Sequence, residues 1–173
     1  MMKIGIDLDN TIINYDKAFN VASLAVLNKK FSNKKSLKKN LNSKKNGSKK
    51  WMRIQGLVYG KHINHAEIYN GFLNFLIRSN FNKTDLYIVS HKTKYGHFDK
   101  TKTNLRDSAV RFLVSKNILH RKNNKGFINA SNIFFCETKL DKISKINELK
   151  LDYFIDDLKD ILKHPYIDKK MVK

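Results

Sequence analysis

With 173 residues, 35 of them basic and 15 acidic for a formal net charge of +20, the chain is long enough for one domain with a real core and too short for two ordinary ones. No apolar run approaches the span of a bilayer, so no membrane partner is expected, and the single cysteine, Cys136, excludes an internal disulfide. With no leader-like segment ahead of the first predicted strand, the expected compartment is the cytoplasm.

The organising stretch comes first: Lys3 to Thr11, KIGIDLDNT. Ile4-Gly5-Ile6 predicts a short strand, after which Asp7, Asp9 and Thr11 follow at intervals of two and so share one side of an extended chain. Unpaired carboxylates at a strand end repel each other and resist burial. A divalent cation removes that objection, and with it in place Asp7 can act as a nucleophile toward phosphorus while Asp9 moves a proton.

Asp16 is expected to cap a helix that buries Phe19, Ala22, Leu24, Ala25 and Leu27. Residues 28–50 read as loop or weak short helices, 51–60 as a helix stopping at Gly60, and 65–79 as a second helix with Ile68, Phe72, Phe75 and Leu76 on one face. No acidic residue lies between Asp16 and Glu67, whereas ten lysines and Arg53 crowd residues 29–53. In a chain rich in Lys, Asn and Ile this excess is read mainly as solvated charge, with nucleic acid the less favoured partner.

Thr84 to Ser90 is the next predicted strand, ending in a hydroxyl, and the loop 91–98 that follows is basic and aromatic. His91 and Lys92 are candidate contacts to an anionic substrate; His91 and His97 are too loosely spaced for a zinc pair. A helix is expected over 104–117, a basic and flexible connector over 120–131, and a strand over 132–136 in which Cys136 is read as a small buried side chain. Thr138 should cap a helix burying Leu140, Ile143, Ile146 and Leu149, with Lys142 off that stripe and Lys139 one turn earlier. Asp152 to Asp157 completes the pattern as a strand ending in paired acids, Asp160 a turn beyond Asp156. Such carboxylates are hard ligands suited to Mg²⁺, and equally suited to capping the helix that follows.

Strand and helix alternation predicts an α/β fold: a Rossmann-like parallel sheet flanked by helices, with all strand ends on one edge. The distance from Thr11 to Ser90 exceeds what a crossover needs, so residues 16–66 are assigned to a helical insertion, and 1–15 with 67–173 to the core.

Four stretches in this order, DLDNT, LYIVS, the helix bearing Lys142, and DYFIDD, resemble the motifs of the haloacid dehalogenase-like superfamily of aspartate-nucleophile phosphohydrolases. The resemblance implies that the insertion is a cap over the active site. It further implies Asp7 as nucleophile, Asp9 as general acid and base, and Thr11, Ser90 and Lys142 on the phosphoryl oxygens. Mg²⁺ would lie on Asp7, Asp9 through its carbonyl and Asp156, with Asp157 or Asp160 in support. The expected activity is hydrolysis of a small phosphate monoester such as a nucleotide or sugar phosphate. The alternatives are a phosphatase for nucleic-acid ends and a non-catalytic polyanion- or RNA-binding protein on the same scaffold. Only sixteen residues follow Asp157, so a further strand that members often carry is expected to be short or absent.

Overall fold

A computed structural model describes residues 1–120 and 126–173, so the middle of the connector expected to be flexible lies outside the described residues. Four strands form one parallel sheet: β1 (Lys3–Ile6), β2 (Asp85–His91), β3 (Ile133–Cys136) and β4 (Tyr153–Ile155), in the order β3-β2-β1-β4. Ile6 pairs with Ile88 on one side and with Ile155 on the other, which brings the residues after Ile6, Val89 and Ile155 to one edge. The expected α/β architecture is therefore present, with β1 flanked by the second and fourth strands. The further strand is reduced to one parallel bridge, Tyr153 to Val172, closed by Phe154 N–H on Val172 O at 3.0 Å.

The chain divides into two compact units, Met1–Ile13 with Ile68–Lys92 and Leu113–Lys173, and Asn14–Glu67 with Thr93–Phe112. The first holds the sheet. Its core gathers Val89, Ile143, Ile146, Leu151, Phe154 and Ile161, and Cys136 is buried among them as a small side chain. Gly5 is required here, because an added Cβ would lie 2.3 Å from Leu151 and 2.8 Å from Phe154, so the strand can carry no side chain where these two pack. Helix α6 (Lys139–Glu148) begins on a capping box in which Thr138 and Asp141 each accept the other's backbone N–H. Of its expected stripe Ile143 and Ile146 are buried, but Leu140 is 58% exposed and Lys142 takes the inward place. Helix α4 (Phe72–Phe81) starts later than expected: residues 63–65 form a 3-10 turn, and Gly71, at φ +85°, supplies the left-handed residue that opens the helix. Two short pieces, Lys159–Leu162 (α7) and the two-residue ladder of Leu119–His120 with Ile128–Asn129, complete this unit.

The second unit is helical. Helix α1 (Asp16–Leu27) is not capped by Asp16, which is its first residue; Asn14 Oδ1 accepts the Asp16 N–H instead. Its buried positions are Ala18, Phe19, Ala22 and Ser23, while Leu24 and Ala25 face outward, a shift of the expected stripe by part of a turn. The lysine-rich stretch read as loop contains α2 (Lys34–Asn42), started by an Asn33–Ser36 capping box and anchored by buried Leu37 and Leu41. Helix α3 (Gly47–Tyr59) begins four residues before its expected start, at a glycine whose added Cβ would fall 1.7 Å from Leu41 O. Ile54, Leu57 and Val58 bury its inner face, and Trp51 stacks on Phe19 at 5.5 Å. Residues 93–112, assigned from sequence to the sheet-bearing core, belong to this helical unit: Gly96 approaches Gly56 so closely that a Cβ would meet Gly56 Cα at 2.5 Å. Helix α5 (Leu105–Ser115) carries the division within it. Among the described residues no helix is long and apolar enough to cross a membrane.

Candidate active site

The chemistry gathers at the carboxyl edge of the sheet, within the first unit. Asp7 follows β1 directly, buried, with its N–H donated to Ile155 O at 2.8 Å. The chain then turns tightly: Ile12 and Ile13 both donate to Leu8 O, and Asn10 adopts φ 63°, a left-handed conformation that asparagine tolerates better than a branched residue. The turn folds Thr11 back so that its hydroxyl lies 3.5 Å from Asp7 Oδ2.

Lys142, only 1% exposed, reaches out of the first turn of α6 and donates to Asp7 Oδ1 at 2.5 Å and to Asp156 Oδ2 at 2.6 Å. Lys139, the rival one turn earlier, is more than half exposed and lies 3.9 Å from Asp160, itself on the surface. Burial pushes the Asp7 carboxyl up to about 7; Lys142 counters the rise and the Asp156 charge adds to it. Burial also works against the Lys142 ammonium, but the attraction of Asp7 and Asp156 and their hydrogen bonds more than offset it and hold its pKa above the ordinary lysine value.

Oxygens of Asp7, Asp156 and Asp157 all lie within 4.8 Å of one another, the one cluster of its kind among the described residues. Lys142 sets one ammonium against two of these carboxylates, Asp7 and Asp156, leaving that trio short of a positive charge in a largely buried place. A divalent cation with a preference for oxygen matches both that deficit and the donor set. Asp156 also accepts the Leu158 N–H at 2.9 Å through Oδ1, so the turn-capping reading of this acid and the ligand reading hold together.

Asp9 is placed by a residue the sequence reading had assigned elsewhere. Lys92, 4% exposed, donates to both oxygens of the Asp9 carboxylate, at 3.0 and 2.8 Å. Its backbone N–H continues the ladder to Cys136 O at 3.1 Å, so the lysine is fixed at both ends. The candidate substrate contact is thus engaged with the candidate general acid. Strand alternation in the sequence puts Lys92 on the same side as Ser90 and sends His91 to the other, although it does not name Asp9 as the partner. His91 is exposed, its Nε2 bonded to Glu137 O at 2.9 Å, and nothing brings it to the acids. His97 falls in the helical unit and forms no metal cluster among the described residues.

Ser90, 1% exposed, carries a buried hydroxyl without a hydrogen-bond partner among the described residues. An orphan donor at a strand terminus is costly unless a ligand completes it. A cavity of about 280 Å³ opens beside the cluster, lined by Asn10, Thr11, Tyr69, Ile155, Asp156 and Asp157. A larger one of about 590 Å³, around Met1, Lys150 and Val172, flanks the start of β4 and holds none of the candidate groups, so chemistry and not size selects the site.

No protein-family model matches the chain, and no curated protein matches its sequence. Solved structures do. A haloacid dehalogenase-like hydrolase of Streptococcus pneumoniae matches with TM-score 0.53 and 16% identity over 92% of this chain and 77% of that one. A subfamily IA hydrolase of the same superfamily from Geobacter sulfurreducens matches with TM-score 0.57 and 9% identity over 94% and 80%. A second Streptococcus pneumoniae hydrolase gives 0.54 and 11% over 93% and 85%. At these identities the likeness concerns the backbone: this chain has the fold of the haloacid dehalogenase-like superfamily, an α/β sheet fold whose named neighbours are hydrolases.

Proposed function

We propose that the protein is a cytoplasmic Mg²⁺-dependent phosphatase acting on a small phosphate monoester, a nucleotide or sugar phosphate, through an aspartyl-phosphate on Asp7. The observation that carries this reading is the meeting of Asp7, Asp156 and Asp157 within reach of one ion, with buried Lys142 bridging Asp7 and Asp156.

Asp7, with Asp156, Asp157 and the Asp9 carbonyl, would hold the cation, which when bound neutralises carboxylate and phosphate charge. Asp7 attacks phosphorus in line, forming the O–P bond of the acyl phosphate as the bond to the leaving oxygen breaks. Asp9 gives that oxygen its proton. In the second step Asp9 takes a proton from water, which attacks phosphorus and returns Asp7 as carboxylate. Thr11, Ser90 and Lys142 bind the equatorial oxygens, the vacant hydroxyl of Ser90 acquiring its acceptor there. Lys92 acts on Asp9 by holding both its oxygens, so that the carboxylate has one orientation for both proton transfers. Selectivity beyond the phosphoryl group is assigned to the helical unit in the role of a cap. Retention of the whole acid set weighs against the non-catalytic alternative.

Hydrolysis of a generic aryl phosphate tests this. Turnover should require Mg²⁺ and vanish in Asp7→Asn with the fold intact by circular dichroism. Acid-stable labelling of the protein by a ³²P-phosphoester should also be absent in that variant. An Asp7→Asn protein with near-normal turnover would end the proposal.

A further inference from the structure

The helical unit carries a charge with no counterpart in the sheet-bearing unit. Asn14–Glu67 and Thr93–Phe112 together hold eighteen Lys and Arg against four Asp and Glu, a net of +14. The rest of the chain holds seventeen against eleven, a net of +6. A compositional bias toward lysine acts on the whole chain and does not remove acids from one part of it. Self-repulsion of this size opposes folding, yet the lysines are displayed on ordered helices, Lys38 and Lys39 exposed on α2 and Lys49 and Lys50 exposed on α3.

We propose that this lysine face binds nucleic acid through its phosphate backbone, without selecting bases. Three observations choose this partner. First, the apolar residues of the lysine-bearing helices point inward: Leu37, Leu41, Ile54, Leu57 and Val58 are all buried. A helix that inserts into a membrane surface needs the opposite, an apolar face turned outward, so an anionic lipid surface is the poorer match. Second, the rings that lie among these lysines each have an ammonium over a face. Trp51 stacks on Phe19 and has the Lys38 ammonium 5.7 Å from its centroid, Lys29 lies over Phe31 at 5.6 Å, and Lys49 over Phe98 at 6.0 Å. What remains available is charge, which recognises phosphates irrespective of sequence. Third, the face is not flat. Lys29, Lys44 and Lys50 help line a cavity of about 400 Å³ together with Ala25, Val26 and Leu27, and a concave basic surface concentrates the field on a polyanion.

Fluorescent dT and dA oligonucleotides of about twenty residues, titrated with the full chain over a range of salt, test the inference. Affinity should differ by less than about threefold between the two, and log K should fall against log salt with a slope of about −3 to −5, the value for four to seven phosphates on a single strand. Lys38→Gln, Lys39→Gln, Lys49→Gln and Lys50→Gln combined should weaken binding at least about tenfold and flatten the slope by about 3. Removing the same charge from the sheet-bearing unit, with Lys159→Gln, Lys163→Gln, Lys169→Gln and Lys170→Gln, should change affinity by less than about threefold. Thermal melts establish that both quadruple variants are folded. A slope near zero, equal losses in the two variants, strong preference for one homopolymer, or binding to phosphatidylserine vesicles but not to oligonucleotides would each overturn the proposal. The readout needs no turnover, so it stands or falls separately from the phosphatase reading.

Discussion

Lysine does opposite work in the two units. In the sheet-bearing unit Lys142 and Lys92 are pulled inside and matched to acids, the first to Asp7 and Asp156, the second to Asp9. In the helical unit the lysines of α2 and α3 lie on the outside of a segment nearly devoid of acids. A buried ammonium is tolerable only where carboxylates answer it, and a single such pair constrains both partners. Exposed lysines constrain little locally and act by their sum. The same residue type therefore carries position in one unit and field in the other, and single substitutions should be severe in the first and mild in the second.

Asp7→Asn should have the largest effect. Turnover should fall by about four powers of ten or more, as is usual on loss of a nucleophile, with residual binding of phosphate retained. Steady-state kinetics with Mg²⁺ measures it. An effect below tenfold would remove Asp7 from the chemistry and erase the contrast between the units.

Lys142→Met comes next. It leaves Asp7 and Asp156 buried beside each other without their shared cation, a loss of about 3–5 kcal/mol by analogy with other broken buried pairs. Urea unfolding without metal should show the full loss. Added Mg²⁺ should recover part of it, because a divalent ion meets the same deficit. Lys39→Met, exposed on α2, should change stability by less than about 0.5 kcal/mol in the same assay. Similar losses in both variants would contradict the division of roles.

Lys92→Met separates orientation from binding. Asp9 remains in place but loses the clamp on both oxygens, so kcat should fall about a hundredfold, the usual scale of a positioned acid or base, with KM nearly unchanged. Lys92→Arg, which keeps a cation at the same place, should restore part of kcat. A rise in KM with kcat intact would return Lys92 to the role of substrate contact expected from sequence.

These two lysines also mark how far the sequence could be read. The sheet and its edge were legible because each strand is a short apolar run that ends in a polar group, but Thr11 meets Asp7 through the turn after Leu8 and not through the period-two alternation expected of an extended chain. Thr138 and Asp141 announced α6 by spacing. Lys142 was recoverable only through the motif it resembles, since in isolation it is one of many lysines. Lys92 needed a contact between residues 83 positions apart, which no local pattern reports. The helical unit was harder still. Helix α2 is held by two buried leucines among charges, too sparse a stripe to stand out, and residues 93–112 join that unit through a Gly56–Gly96 approach that leaves no periodic trace. The start of α4 was misplaced because the apolar spacing runs on through Ile68, while the break is made by Gly71.

The smallest effect sharpens the comparison most finely. Thr138→Ala removes one half of the capping box on α6 and leaves the Asp141 N–H without its hydroxyl acceptor, a loss of about 1 kcal/mol. Asn33→Ala removes the equivalent bond at the start of α2, Asn33 Oδ1 to Ser36 N–H at 2.9 Å, and should be similarly modest in stability. Their effects on turnover should part. Lys142 is one turn inside α6 and its backbone N–H donates to Thr138 O at 3.1 Å, so loosening that turn shifts the ammonium that bridges Asp7 and Asp156. The first substitution should therefore lower kcat by several-fold, about the loss expected from a small misplacement of a positioned group, and the second should leave kcat within error. Equal kinetic effects at equal loss of stability would mean that the cap stabilises α6 without positioning Lys142, and that the precision of the site comes from the acids alone.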